Sequence, residues 1–159
     1  MNKSLSEFTI VTTVYNGIPY LKRYFRNMEE AVLVHGAKVT ILDDGSVDGS
    51  PQVIEQWAEK KPDVHFYRQS RSGRAKALNE AIGRSTTPFI AIQDVDDLAR
   101  ESKLPSLLAL TSRHPAAVLY ATEGSTVAEA EIASEFSELT KPLVDDGKTR
   151  EFAYRDIFR

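Results

Sequence analysis

The sequence contains no cysteine, which excludes disulfide bonds, thiolate chemistry and zinc sites built on cysteine. It also has no long apolar run: no stretch approaches the ~20 apolar residues that span a bilayer. The N-terminal sequence MNKSLSE has no apolar segment of signal-peptide length. We therefore expect a cytoplasmic chain without a transmembrane segment, with peripheral association at the inner face of the membrane as an alternative.

Basic charge is not in excess. The chain has 20 Lys and Arg against 23 Asp and Glu, a net charge of −3, so nucleic acid is not an expected partner. His35, His65 and His114 are scattered and lack metal-ligand spacing. The motifs G-x-S-x-G, G-x-x-x-x-G-K-[ST] and G-x-G-x-x-G are absent from the sequence, which excludes the common serine-hydrolase, P-loop and dinucleotide-binding classes.

What the sequence does contain is a regular alternation of short apolar segments and amphipathic stretches. Strands are predicted at residues 8–14, 38–42, 64–68, 89–92 and 117–121, with helices between them. Gly36 is predicted to end the first helix. Ser50 is predicted to cap the second, with Pro51 at its first position. The 159 residues fit one domain, and the alternation predicts an α/β fold with a mostly parallel sheet covered by helices on both faces.

Polar residues follow three of the predicted strands directly. Tyr15-Asn16 follows the first strand, Asp43-Asp44 follows the second, and the acidic cluster of residues 94–97 (DVDD) follows the fourth. In parallel sheets ligands bind beyond the carboxyl ends of the strands. We therefore expect Asp43, Asp44 and the aspartates of residues 94–97 to surround one crevice.

The acidic cluster is a candidate metal site. In an extended segment residues two apart point the same way, so Asp94 and Asp96 are predicted to face one ligand together. Mg²⁺ and similar hard cations use one or two carboxylates plus substrate phosphates, and such an ion neutralises a diphosphate. The alternative is a solvated loop whose aspartates cap the following helix.

Two other strand ends offer groups that recognise a nucleotide. Tyr15 could stack on a nucleobase, although an aromatic at the edge of the core would have the same sequence. Asp44 could accept hydrogen bonds from a base or ribose, and Gly45 permits a turn with positive φ. Ser46, Asp48 and Ser50 are predicted to be turn and cap residues rather than ligands.

Basic residues precede the third predicted helix, in the segment RSGRAKALN (residues 71–79). Arg71 and Arg74 lie at a helix start, which is the end of a helix that attracts anions. They could contact a base, a ribose or a diphosphate. Solvated surface charge is the alternative for each of them.

Taken in order, these motifs resemble family 2 glycosyltransferases with the GT-A fold. The resemblance rests on FTIVTTVYNG, LDDGSVDGS, the helix with Gly73, Ala77 and Asn79, and FIAIQDVDD followed by Lys103-Leu104. It covers roughly residues 8–122. It implies a nucleotide-sugar donor, with UDP-sugar expected, a bound Mn²⁺ or Mg²⁺, and inverting transfer to the hydroxyl of a glycan or a lipid-linked acceptor.

The resemblance also implies roles for single residues. Thr13 and Tyr15 would line the base pocket, with Asn16 beside them, and Asp44 would hydrogen-bond the base. Arg71 or Arg74 would contact the base or the diphosphate, Asp94 would approach the ribose or the sugar, and Asp96 would bind the metal that bridges the diphosphate.

The sequence departs from the family pattern in two respects. Thr13-Val14 replaces the proline that often precedes Tyr-Asn. Family members also continue further, and the additional part carries the acceptor site and a carboxylate base, which inverting transfer requires. We assign residues 1–122 to the nucleotide-sugar-binding core and 123–159 to an extension, the start of an acceptor region or a truncated end. Glu123, Asp145 and Asp146 are available as the base, but no motif selects one, so the catalytic residue is unknown.

Apolar residues in the extension predict further elements. Val127, Ile132, Phe136 and Leu139 are typical of an amphipathic helix or an ordered loop, and Phe152, Ile157 and Phe158 of a short terminal helix.

Other classes remain as alternatives. A nucleotidyltransferase is a further enzyme class, but it normally opens with a Gly-rich phosphate loop, which is absent from this sequence. A non-catalytic nucleotide-sugar-binding module would have the same donor motifs without the base. A receiver-type Mg²⁺-binding signalling domain would need an aspartate at the end of the third strand and a lysine at the end of the fifth, where this chain has Arg68-Gln69 and Thr122. Oligomeric state is not predicted.

Overall fold

The computed structural model describes residues 4–117, 119 and 120. The strands in this part are β1 (Phe8–Val14), β2 (Lys38–Asp44), β3 (Val64–Gln69) and β4 (Phe89–Ile92). The helices are α1 (Ile18–Ala31), α2 (Ser50–Ala58), α3 (Arg74–Gly83) and α4 (Lys103–Arg113), and single 3₁₀ turns lie at Leu5–Glu7 and Leu33–His35. The predicted boundary at residue 122 and both elements predicted in the extension lie outside the described residues.

The described strands form one parallel sheet in the order β3-β2-β1-β4. β1 is central: Val14 is opposite Asp43 in β2, and Val11 is opposite Ile92 in β4. The carboxyl ends of β1, β2 and β4 therefore meet at one edge of the sheet. The α/β fold predicted from the sequence is confirmed.

Helices cover both faces of this sheet because side chains alternate along each strand. On one face, Ile10 and Ile41 pack with Tyr24 of α1, Ile54 of α2 and Leu104 of α4, all of them buried. On the other face Val11 and Leu42 pack against Ala77 and Ala81 of α3. The small alanines let α3 lie close to the sheet, directly beside the ends of β1 and β2.

Two local predictions are wrong. Ala117, Leu119 and Tyr120 are not in a strand, so the fifth strand predicted at 117–121 is not formed by its described residues. Ser50 does not cap α2 but is its first residue, and Gly49, with φ of 88°, holds the N-cap position. The hydroxyl of Ser50 is used elsewhere, as described below.

The end of the first helix is only partly as predicted. α1 ends at Ala31, and the chain continues through the 3₁₀ turn to Gly36, whose φ of 74° is left-handed. Among the described helices, none combines the length and the apolar character needed to cross a bilayer.

Candidate functional site

A cavity of about 380 Å³ opens at the carboxyl ends of β1, β2 and β4. It brings together the eight single residues that the resemblance assigns to nucleotide or metal binding, whereas Asp97 of the predicted acidic cluster does not line it. Its lining consists of Thr13, Val14, Tyr15, Asn16, Gly17, Tyr20, Asp44, Arg71, Arg74, Asp94, Val95 and Asp96. Tyr15 and Asn16 lie with Arg71 and Asp44 at one end, which we call the base end after the base pocket that the sequence predicts there. The other end holds the Asp94 to Asp96 turn and is called the acidic end.

Asp44 organises the base end. Its side chain is buried and accepts hydrogen bonds from the backbone N–H groups of Ser72 (2.8 Å) and Gly73 (2.9 Å) and from Gln69 Nε2 (2.8 Å). Arg71 adds a close ion pair to the same carboxylate. Burial alone would raise the pKa of Asp44, but the hydrogen bonds that it accepts outweigh this effect and hold the pKa well below its usual range. Asp44 is therefore ionised at neutral pH, and it fixes the segment before α3.

Arg71 also covers the ring of Tyr15. Its guanidinium carbon lies 3.7 Å from the ring centroid, a close cation–π contact. Gly45 permits this arrangement: its φ is 79°, and a Cβ there would lie 2.7 Å from the backbone nitrogen of Arg71. The exposed Tyr15 ring is therefore held by Arg71, which is in turn held by Asp44.

Asp43 does not share this environment, which corrects the expectation that both aspartates border the crevice. It is fully buried but does not line the cavity. Its Oδ2 accepts from Ser46 N (3.1 Å) and pairs with Arg68 Nε (3.3 Å). Adjacent strand residues point to opposite faces, so only Asp44 is directed to the cavity.

The serines and the aspartate of the β2–α2 connection are cap residues, as predicted, but the helix that they cap is α1 and not the α2 predicted for Ser50. Ser46 Oγ accepts from Asn16 N (2.8 Å), Ser50 Oγ from Gly17 N (3.0 Å), and Asp48 Oδ2 from Ile18 N (2.9 Å). These side chains satisfy N–H groups that a helix start leaves without intrahelical partners.

Asn16 completes this junction. Its φ is 52°, and its side-chain oxygen accepts from Val47 N at 3.0 Å. Asn16 lines the cavity, but its side-chain oxygen already holds the capping loop in place.

The acidic end is a turn and not an extended segment. Asp97 N donates to Asp94 O at 3.2 Å, and Val95 and Asp96 occupy the turn. The premise that Asp94 and Asp96 face one ligand through strand alternation is therefore wrong. The turn nevertheless brings both residues to the cavity wall.

Charges of both signs surround this turn. Arg74 Nη2 lies 2.5 Å from Asp94 Oδ1, and this bond raises the pKa of Arg74. Burial, and then the charges of Asp96 and Asp94, raise the pKa of Asp97. Burial lowers the pKa of Lys103 at the start of α4, against the attraction of Asp97 and Asp94. The negative charges are close enough to act on one another, and Arg74 and Lys103 supply positive charge beside them.

The fit of this turn to a divalent cation rests on its donor set. Asp94 and Asp96 supply carboxylate oxygens, which Mg²⁺ and Mn²⁺ prefer. Within residues 4–117, 119 and 120, no group of three or more Asp, Glu or His side chains could hold such an ion by itself. The donor set therefore suits a cation that takes its remaining ligands from phosphates and water.

The sequence did not single out four of the lining residues. They are Val14, Gly17, Tyr20 and Val95. The structure explains why position 17 is a glycine: a Cβ there would lie 2.8 Å from Val14 Cγ1 and 3.6 Å from Val95 Cγ1. The absence of a side chain lets the strand end, the helix start and the acidic turn meet. Tyr20 follows on α1, and nothing in its sequence context distinguishes it from other exposed aromatics.

The model of the family described as "Glycosyl transferase family 2" matches residues 9–142. The chain belongs to this family. The match leaves the receiver-type alternative without support.

Curated relatives agree with the family assignment. EpsH of Bacillus subtilis (strain 168) is 24% identical over 95% of this chain and 46% of its own length. The amylovoran biosynthesis glycosyltransferase AmsE of Erwinia amylovora is 24% identical over 70% of this chain and 43% of its own. The chain spans less than half of the length of each of these two relatives.

Solved structures give the same fold. The mannosyltransferase PcManGT from Pyrobaculum calidifontis, in complex with GDP-Man and Mn²⁺, has a TM-score of 0.57 and 29% identity over 65% of this chain and 32% of its own. TarS of S. aureus (residues 1–349, in complex with UDP-GlcNAc) has a TM-score of 0.62 and 20% identity over 79% of this chain and 38% of its own. The sheet and helices described above are thus those of GT-A glycosyltransferases.

Proposed function

We propose that this chain is the donor-binding part of a metal-dependent, inverting glycosyltransferase that takes a UDP-sugar. The observation that carries the proposal is the arrangement of the cavity: Tyr15, Asp44 and Arg71 at its base end, and Asp94 and Asp96 at its acidic end. A nucleoside diphosphate fits this order of groups. Its aromatic base would lie at the end with Tyr15, and a cation held by Asp94 and Asp96 would balance the charge of its diphosphate at the other end.

At the base end, Thr13 and Tyr15 are the proposed walls of the base pocket, and Asn16 borders it. Asp44 already accepts bonds from Gln69, Ser72 and Gly73, so we propose that it acts on the base largely through Arg71, which it orients. Arg71 presents donors toward whatever occupies the cavity.

At the acidic end, Asp96 is exposed and is the proposed metal ligand, with Asp94 beside it. Bound Mn²⁺ or Mg²⁺ would neutralise the diphosphate as it leaves. Arg74 now balances the charge of Asp94, and it lies where it could donate to a phosphate oxygen. The complex of PcManGT with GDP-Man and Mn²⁺ supports a nucleotide sugar and a divalent ion as ligands.

Transfer to an acceptor hydroxyl needs a base. The candidates Glu123, Asp145 and Asp146 lie outside the described residues. We propose a glycan or a lipid-linked acceptor, in agreement with the name of AmsE, which assigns that relative to amylovoran biosynthesis.

Calorimetry with UDP-, GDP- and dTDP-sugars in the presence of Mn²⁺ tests the proposal. UDP-sugar should bind, chelation of the metal should weaken binding, and Asp96→Asn should remove the metal dependence. Asp63→Asn is the matched control, because Asp63 is exposed and does not line the cavity. If Asp96→Asn keeps the full metal-dependent affinity, the assignment of Asp96 is wrong. Binding without donor hydrolysis or transfer would favour the non-catalytic module.

A further inference from the structure

The acidic turn belongs to an irregular segment, residues 93–102, which we call the acidic loop. It runs from the end of β4 to the start of α4 without helix or strand. Gln93 N still donates to Val11 O at 3.1 Å, but the backbone groups that follow have no continuous ladder of strand partners and must be satisfied in another way. Three side chains of α1 supply or support those partners.

Asn27 makes the most specific of these contacts. Its side chain is fully buried, its Nδ2 donates to Ala99 O at 2.8 Å, and its Oδ1 accepts from Ala99 N at 2.7 Å. One amide thus satisfies both backbone groups of one loop residue. The pair fixes the position and the orientation of Ala99 relative to α1, because both bonds hold only at one relative placement.

A second buried connection reaches the other end of the loop. Tyr24 Oη donates to Thr12 Oγ1 at 2.9 Å, and Thr12 Oγ1 donates to Gln93 O at 2.7 Å. All three residues are buried. A third contact lies between these two: Arg23 Nη2 donates to Asp96 O at 3.2 Å. Residues 23, 24 and 27 lie on one side of α1, since residues three and four apart are neighbours on a helix.

The same helix begins at the base end of the cavity. Asn16 lines that end, and Gly17 follows it at the point where the helix start meets the acidic turn. Both lead directly into α1, and the capping loop fixes them there. α1 therefore sets the separation between the base end and the acidic turn. We propose that Asn27 is a positioning residue for the diphosphate and metal end of the site, supported by the Tyr24–Thr12 pair; this rests on the proposed function.

Hydrogen exchange tests the positioning without any ligand. Peptides covering residues 93–102 should exchange at least tenfold faster in Asn27→Ala than in the wild type. Met28→Ala is the matched control, because Met28 is fully buried on the same helix and packs in the core. Variants are compared at equal global stability, set with urea. Equal exchange of the acidic loop in the two variants would overturn the proposal.

Milder variants keep the test decisive if Asn27→Ala does not fold. Thr12→Val removes the hydroxyl and keeps the shape, and it should speed exchange at the start of the acidic loop. Thr12→Ser retains the hydroxyl and should restore wild-type exchange. If the valine and serine variants behave alike, the hydrogen bond to Gln93 O does not position the loop.

Binding separates positioning from general destabilisation. Asn27→Ala should weaken UDP–Mn²⁺ binding at least tenfold but leave the affinity for UMP without metal, followed by NMR titration, within twofold. An equal loss for both ligands would contradict the proposal. If the wild type binds neither ligand, the proposed function fails, while the exchange experiment still decides whether Asn27 positions the acidic loop.

Discussion

The guanidinium carbon of Arg71 lies 3.7 Å from the centre of the Tyr15 ring, and the same guanidinium forms an ion pair with Asp44. A nucleobase that stacks on Tyr15 must therefore take the place of Arg71 or use the opposite face of the ring. In either case the contributions of Tyr15 and Arg71 to the free energy of binding depend on each other.

Tyr15→Ala should weaken UDP binding by about 1–3 kcal/mol, the range of a lost base stack. Arg71→Ala should not add independently to this effect, because the two side chains are in contact. A double-mutant cycle by calorimetry should give a coupling of about 0.5–3 kcal/mol. Unchanged affinity in Tyr15→Ala would remove that ring from the pocket, and strict additivity would show that the contact has no role in binding.

Asp44→Asn should lower the free energy of unfolding by about 1–3 kcal/mol, because the buried side chain then has one acceptor oxygen and no charge for the donors of Gln69, Ser72 and Gly73. The pKa of Asp44 is lower in the folded state, so its ionised form contributes fully at neutral pH. That contribution is lost as the pH falls through the lowered pKa. In urea unfolding, the difference in the free energy of unfolding between Asp44→Asn and the wild type should therefore become smaller at acid pH. A difference that is small at pH 7, or that widens in acid, would contradict this account; Asp63→Asn is the control.

Gly45→Ala should destabilise the protein more than Gly49→Ala. Both glycines have positive φ, which costs an L-residue about 1–2 kcal/mol. Only at Gly45 would the new Cβ approach the backbone nitrogen of Arg71, at 2.7 Å; at Gly49 nothing lies within 4 Å. The difference in melting temperature between Gly45→Ala and Gly49→Ala therefore measures the effect of this clash. Gly45→Ala should also weaken UDP binding, and equal behaviour of the two variants would argue against the close approach.

Asp48→Ala should destabilise the protein by about 0.5–2 kcal/mol, the cost of a lost helix cap. Burial alone would raise the pKa of Asp48, but the bonds from Ser50 and Ile18 outweigh it and lower that pKa. The stabilisation is present at neutral pH and is lost as the pH falls through the lowered pKa. Asp48→Asn, which keeps an acceptor oxygen, should lose less stability than Asp48→Ala. The measurement is urea unfolding, and a larger loss in the asparagine variant would contradict the capping role.

The sequence predicted those parts of the fold and site that depend on local pattern. Strand ends follow from apolar segments that stop at polar residues, and a parallel sheet brings such ends to one edge. Tyr15, Asp44 and Asp96 could therefore be placed together. The strand predicted at 117–121 is not formed by its described residues, 117, 119 and 120. A short apolar segment carries no information about whether a neighbouring strand is there to pair with it.

Contacts between distant residues could not be predicted in this way. Nothing around Asn27 distinguishes a residue that binds Ala99 from a surface asparagine on a helix. The turn at Asp94 to Asp97 was missed because its geometry depends on the packing of α1 and α4 as well as on its own sequence. The role of Ser50 was assigned to the wrong helix, since its sequence context is that of a cap for α2.

The strand order also affects how the protein is made. β4 pairs with β1, so Thr12 and Gln93 meet in the core although they are 81 positions apart in the chain. Contacts over such separations form slowly. During synthesis the base end emerges first, while β1 still lacks its neighbour on one side. β1 is apolar and is buried in the folded protein. Until residue 92 has been made, one edge of β1 has no partner strand, and such an open edge is prone to aggregation.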